Sequence, residues 1–313
     1  MKADWVAASV RARSMAQRRV GAGASRVIAA EPTLDSALSA LRESCYAERL
    51  HSTSGLAAAE RAVQETVLWQ LRVLAGWLPA SGTALARAVA GAFEIENVVA
   101  LAHQLDGGPQ APEPFRLGSL ETAWHRLAAA TSEEELAVVL DTTAWGAVGG
   151  SGPSIVGPGQ LGVGLRVAWA RRLVSVAPSA RPWYGAVCVL TAARSLGPGG
   201  VSAPPRLLHL VRPVLGSAWE SAGSIGELRA ALPPSLQRVL RDIASPQELW
   251  RAEARIHNDV EKDGFGLLRG SLPGPDVVLG AMMVLLLDAW RLRAALAAAA
   301  SGAGSSEVLN EAA

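Results

Sequence analysis

Residues 79–105 read PASGTALARAVAGAFEIENVVALAHQL. A proline and small polar residues open the stretch, and Ala, Leu and Val then recur at helical spacing. In its middle, Phe93-Glu94-Ile95-Glu96-Asn97 places polar groups inside an otherwise apolar helix. The layout returns at residues 273–296, PGPDVVLGAMMVLLLDAWRLRAAL, where Asp288 and Arg291 stand where Glu94 and Asn97 stood. A helix carrying acid-x-x-polar in its middle, met twice in one chain, points to duplication.

Two shifts of the sequence test this. Moving 99 positions takes Thr33 to Ser132, Leu41 to Leu140, Tyr46 to Trp145, Arg72 to Arg171 and Pro79 to Pro178. Moving 194 takes Pro79 to Pro273, Leu85 to Leu279, Glu94 to Asp288 and Asn97 to Arg291. Ser224 with Glu227 repeats the capping signal of Ser132 with Glu135. Cap, helix, proline and final helix recur in one order, so the chain reads as three helical units: 1–110, 111–204 with a flexible Gly-rich loop at 146–164, and 205–300. The tail 301–313 reads as disordered. Each unit is of a size that needs neighbours to bury its apolar faces.

Composition agrees with an all-α chain. Of 313 residues, 50% are hydrophobic and only 5% aromatic, and Ala and Leu dominate. The net charge of +1 speaks against a nucleic-acid surface or a polybasic membrane patch. Cys45 and Cys188 are single and far apart, as suits a reducing compartment. The N-terminal segment lacks the apolar core of a signal peptide. The uncharged run 277–287 is too short to span a bilayer. A soluble, cytoplasmic protein is expected, with no direct membrane insertion.

Taken in order, helices are expected at Trp5–Arg19, from about Ser25, at Leu34–Leu50 behind the Thr33 cap, at Leu56–Leu78 and at Thr83–Leu105. Asp106–Pro114 reads as a linker. Further helices are expected at Leu120–Ala129, from Ser132 to about Trp145, at Leu165–Val176 and at Pro182–Leu196. After a second linker at Gly197–Pro205 come Arg206–Ala218, Ser224–Leu232, Ser235–Ile243 and Pro246–Val260. Asp263–Gly274 reads as a loop or short helix before the last long helix, Asp276–Ala300.

No catalytic constellation stands out. Asp259, Glu261, Asp263 and Gly264 mimic the start of a calcium loop, but its twelfth position is Gly270 rather than Glu. The five histidines are dispersed and lack zinc spacing. The Gly-rich segment has no Gly-Lys-Ser/Thr and no preceding strand pattern, so it is not a phosphate cradle. There is no G-x-S-x-G elbow. Glu253, His257 and Asp259 would matter only if the fold gathered them with a metal. Glu94 and Asn97 share a helix face among apolar neighbours. A buried carboxylate needs partners, and Arg11, Arg13, Arg72 or Arg87 are the expected ones; the alternative is a partner-binding role.

Several segments resemble one family. Residues 5–13, WVAASVRAR, look like the opening helix of the C/d-subunit family of V-type and archaeal-type rotary ATPases. The segment from Ile28-Ala29-Ala30 through Thr33 to Tyr46 is similar to that family's small-residue, cap, helix, T/S-x-Y unit. Glu94-Ile95-Glu96-Asn97 and Asp288-Ala289-Trp290-Arg291-Leu292-Arg293 look like its recurring E-x-x-N-(x)-R helix. The resemblance runs in order over residues 4–300, as of a divergent bacterial member. It departs at Ala193 and Leu196, which replace the acid and Asn of the middle unit, and at Arg291.

The resemblance implies an all-helical, funnel-like protein of three similar units in pseudo-threefold arrangement. It would be a non-catalytic socket without cofactor or metal. Its partners would be the central-stalk subunits and the proteolipid ring, and it would pass torque in ATP-coupled proton or sodium transport from a place peripheral to the cell membrane. Trp5, Arg11, Arg13, Glu94, Asn97, Glu253, Asp288, Arg291 and Arg293 are the candidate structural and interaction residues. A helical-repeat adaptor of the same fold without a rotor is the alternative.

Overall fold

Residues 3–51, 53–146, 158–196 and 205–312 are described by the computed structural model of the chain, and among them every regular element is a helix. In order these are α1 (Val6–Gln17), α2 (Gly21–Ala29), α3 (Leu34–Ala40), α4 (Ala47–Leu50), α5 (Leu56–Ala75) and α6 (Thr83–Leu105). Next come α7 (Trp124–Leu127), α8 (Glu133–Asp141), α9 (Pro158–Val176) and α10 (Arg181–Arg194). The last are α11 (Pro205–Leu215), α12 (Ile225–Ala231), α13 (Pro234–Gln237), α14 (Leu249–Leu268), α15 (Pro275–Ala300) and α16 (Glu307–Glu311). No helix among the described residues is long and apolar enough to cross a membrane.

Hydroxyl caps set three helix starts. Thr33 Oγ1 accepts from the Ser36 N–H, Ser132 Oγ from Glu135, and Ser224 Oγ from Glu227, each at 3.2 Å. Glu135 does not close its box on Ser132. Its carboxylate takes the N–H and hydroxyl of Thr131 instead, and Glu227 likewise takes the Gly223 N–H. Both acids sit at a helix N-terminus, where the helix dipole favours negative charge.

The chain divides into two compact units, Met1–Ala86 with Glu253–Ala313, and Arg87–Ala252. In the first, α15 is the hub. It is apolar around nearly its whole circumference, as a helix buried on all sides must be, and α1, α2, α3 and α5 pack onto it. The chain's two ends are therefore brought together on one helix. In the second unit α9 and α10 pack side by side, and α11, α12 and α13 lie against α10.

Several expected boundaries change. The helix expected over Leu34–Leu50 breaks after Ala40 and resumes as α4. Helix α2 starts at Gly21, which holds φ +81°. Asp263 and Gly264, expected in a loop or short helix, are inside α14, so the calcium-loop mimic is helical. The part of the Gly-rich segment that is described, 158–164, begins α9 rather than a flexible loop, and 147–157 lie outside the described residues. Most of the second linker, 197–204, lies outside them too. The tail is ordered at α16, where Ser306 caps the helix, Leu309 is buried and Glu311 pairs with Arg255.

Helices α14 and α15 meet backbone to backbone. A Cβ on Gly280 would collide with the Gly264 carbonyl oxygen and come within 3.2 Å of the Leu268 nitrogen. Backbone atoms cannot swing aside as a side-chain tip can. We expect Gly280→Ala to lower stability by about 1–3 kcal/mol, the usual cost of overpacking, as read from the urea midpoint at unchanged m-value.

Candidate functional site: two buried carboxylate seats

Glu94 and Asp288 are both fully buried, and neither is held by an arginine. The Glu94 carboxylate accepts from two successive backbone groups, the Thr122 N–H at 2.7 Å and the Ala123 N–H at 2.9 Å. The Trp145 indole Nε1–H adds a third bond at 2.8 Å. Asp288 is seated in the same way. The Val20 N–H at 3.0 Å and the Gly21 N–H at 2.7 Å reach its two oxygens, and the Tyr46 hydroxyl donates at 2.9 Å. In each seat one mid-helix acid binds two consecutive N–H groups and one aromatic donor.

The local chain shows how the aromatic is delivered. Ser44 Oγ donates to the Leu41 carbonyl and accepts from the Tyr46 N–H. Thr143 Oγ1 does the same between the Leu140 carbonyl and the Trp145 N–H. A hydroxyl that bonds its own backbone competes with the helix. This is why both capped helices stop short and turn an aromatic inward. Gly91, one turn before Glu94, leaves room for the Trp145 ring, which a Cβ there would meet at 3.2 Å. Gly21 supplies the left-handed backbone that points its N–H at Asp288.

Asn97 completes the first seat from one turn further along α6. Its amide donates to the Phe115 carbonyl at 3.0 Å and its oxygen accepts from the Phe115 N–H at 2.7 Å. Phe93 packs edge-on to Phe115, centroids 5.4 Å apart. Helix α6 thus grips segment 115–123, which includes a 3-10 turn at Gly118–Leu120, along its length. Arg291, at the corresponding place on α15, does something different: its guanidinium is buried and pairs with Glu261 of α14.

The other candidates scatter. Trp5 is buried against Gly82. Arg13 donates to the Leu268 and Gly270 carbonyls at 3.0 and 2.6 Å, satisfying the end of α14. The Nε atoms of Arg11 and Arg293 are buried without a hydrogen-bond partner. Glu253 lies half-buried on α14. No group of three or more His, Cys, Asp or Glu among the described residues could hold a metal ion, so Glu253, His257 and Asp259 are not gathered as ligands. Cys45 and Cys188 are free thiols. The arginine partners expected for Glu94 are replaced by backbone. A cation not foreseen, Arg172, donates to Thr122 Oγ1 at 2.9 Å and lies 5.7 Å from the Trp145 ring.

Burial pushes the Asp288 pKa up, against the pull of the Gly21, Val20 and Tyr46 donors. The Tyr46 hydroxyl is pushed far above its ordinary range by burial and then by Asp288, so it stays a donor. His257 lies against Trp290 with the rings tilted by 60° and centroids 4.2 Å apart, and burial and then Arg291 lower its pKa to about 4. A search against models of known families gives no match, and none of the curated proteins matches the chain.

Two measurements test these buried groups. Glu94→Ala leaves two backbone donors and an indole N–H buried and unpaired, and is expected to cost about 3–5 kcal/mol in urea unfolding. Glu94→Gln returns an acceptor and loses less. For His257, the unfolded chain takes up a proton near pH 6.5 and the folded chain only near pH 4. Stability is therefore lost as pH falls through that window, by up to about 3 kcal/mol. His257→Gln is expected to flatten that part of a stability-against-pH profile.

Proposed function

We propose that the chain is a non-catalytic central-stalk component of a V/A-type rotary ATPase. It would be built of three similar helical units in pseudo-threefold arrangement and would link the rotor shaft to the proteolipid ring. The observation that carries the reading is the recurrence of one carboxylate seat. The aromatic donor stands thirteen residues after the hydroxyl cap in both seats, Thr33 to Tyr46 and Ser132 to Trp145. The acid stands in the second long helix after its unit's cap, Glu94 on α6 and Asp288 on α15. Each acid is served by the segment that begins the next unit, with the last unit served by the first.

The remaining junction supports the same reading by what it lacks. Thirteen residues after the Ser224 cap stands Gln237, which bonds locally to the Leu232 carbonyl. The acid position on α10 is Ala193, fully buried. Acid and aromatic are lost together, as expected of one interacting set. A socket that carries torque needs rigid helices held in fixed register rather than reactive groups, and the seats supply register.

The missing acid at Ala193 and the arginine at Arg291 favour a second reading, a helical-repeat adaptor of the same architecture without a rotor. Co-purification separates the two. Under the rotary reading the protein sediments with membranes alongside proteolipid subunits, is released by a mild chaotrope, and brings stalk subunits with it. If it stays in the supernatant with no rotor or stalk protein bound, that reading falls, and an unrelated partner in the pull-down supports the adaptor.

A further inference from the structure

Eight large apolar side chains are exposed among the described residues, and four of them, Val6, Val10, Trp77 and Leu272, come to one end of the first compact unit. Three contacts bring them there. The Trp5 ring packs so closely on Gly82 that a Cβ on that glycine would lie 2.8 Å from Trp5 and 3.1 Å from Leu78. The start of α1 is thereby fixed beside the turn after α5, where Trp77 stands. The Gly274 N–H donates to Ser9 Oγ at 3.2 Å, and Arg13 donates to the Leu268 and Gly270 carbonyls at 3.0 and 2.6 Å. The loop carrying Leu272 is thus tied to α1 at both of its ends. On that helix Val6 adjoins Ser9 and Val10 adjoins Arg13, each pair three residues apart. The four side chains keep about half of their surface or more in water, from 47% for Val6 to 60% for Val10.

The net charge of +1 hides an uneven distribution. The segments that build this end, 5–30, 66–86 and 264–275, hold seven arginines and no Asp, Glu or Lys. Arg13 bonds to carbonyl oxygens rather than to a carboxylate. Arg269 is exposed at the start of the Leu272 loop, with no ion pair among the described residues. The flanking acids Asp4 and Asp276 are each engaged in contacts of their own. We propose that this end of the unit is a docking face for an anionic lipid surface. Valine, leucine and tryptophan enter the boundary between headgroups and acyl chains, and arginines beside them attract anionic headgroups. Surface binding of this kind needs buried apolar area and positive charge together, and both are present here. A nucleic acid offers nothing for Val6, Val10 and Leu272 to bury against. A second copy of the chain would set two arginine-bearing, acid-free faces against each other. The inference does not rest on the rotary reading.

Co-sedimentation of the full chain with protein-free vesicles tests it, and the absence of proteolipid subunits keeps the outcome separate from the rotary reading. Vesicles of phosphatidylcholine with phosphatidylserine are expected to bind at least about fivefold more tightly than phosphatidylcholine alone. Trp77→Ser with Leu272→Ser should weaken binding about tenfold or more, because it removes apolar area that the bilayer would cover. Arg269→Gln should weaken binding to the mixed vesicles severalfold and leave binding to neutral ones unchanged. Val138→Ser, at an exposed position of the other unit, should bind as the parent does, and circular dichroism checks that every variant stays folded. The proposal is overturned if neither vesicle sediments the protein, if both do so equally, or if the Trp77/Leu272 variant binds as well as the parent. It is also overturned if analytical ultracentrifugation without vesicles shows a dimer that the same variant abolishes, which would make the face a contact between copies.

Discussion

A carboxylate sunk in the middle of an apolar helix costs several kcal/mol in lost hydration, and the seats of Glu94 and Asp288 meet that cost mainly with backbone. Each carboxylate receives three bonds, two of them from consecutive N–H groups. Charge-assisted bonds of this kind return about 1.5–3 kcal/mol each, so gain and loss are of the same size and the net effect on stability is small. What the arrangement does deliver is position. A backbone N–H cannot choose another rotamer, and sliding α6 by one residue along segment 115–123 would strand Glu94 and unpair Asn97 from Phe115 at the same time. The apolar contacts of Ala, Leu and Val along these helices are far less particular about register, so the seats are what fix it.

The choice of donor also explains why an arginine is absent. A guanidinium would add a second buried charge and several torsions to freeze, a cost of about 2 kcal/mol in side-chain entropy alone. Segments 20–21 and 122–123 are already ordered by the elements around them, and their N–H groups need a partner in any case. One acid therefore satisfies groups that would otherwise be orphaned. The cations stand one step out: Arg172 over the Trp145 ring, and Arg19 over Phe265 at 4.4 Å.

How much of this could be read beforehand follows from which atoms do the bonding. The acid-x-x-polar helix was legible, because a charge interrupting an apolar pattern is a side-chain signal. So were the caps at Thr33, Ser132 and Ser224. Tyr46 and Trp145 could be paired by the 99-residue shift, yet nothing in the letters says that they donate to Asp288 and Glu94. Val20–Gly21 and Thr122–Ala123 were invisible as partners, since an N–H is common to nearly every residue and only the fold selects two of them. Looking for opposite charge led instead to Arg11, Arg13, Arg72 and Arg87. The broken helix over Leu34–Leu50 has a related cause. Its spacing favours a continuous helix, but Ser44 bonds back to Leu41 and Tyr46 is drawn to Asp288, so a contact 242 residues away in sequence overrides the local preference.

Under the three-unit reading, the junction at α10 has no seat, and it shows why such a device is kept whole or lost whole. Removing Asp288 or Glu94 alone would leave two N–H groups and an aromatic donor buried without acceptors, whereas replacing both sides by apolar groups is close to neutral. Against α10 the replacement is complete. Ala193 is buried, Gln237 bonds to its own loop, and a neutral polar link is made by the Tyr184 hydroxyl, which donates to the Leu210 carbonyl at 2.7 Å. Gly185 lets Leu236 come close enough to fill the space, where a Cβ would lie 2.8 Å from its Cδ2. That junction is held by shape where the other two are held by direction. Packing against shape tolerates small slides that a seated carboxylate forbids, so under the three-unit reading α10 against α11–α13 is the junction with the loosest register, and α6 and α15 carry the fixed ones.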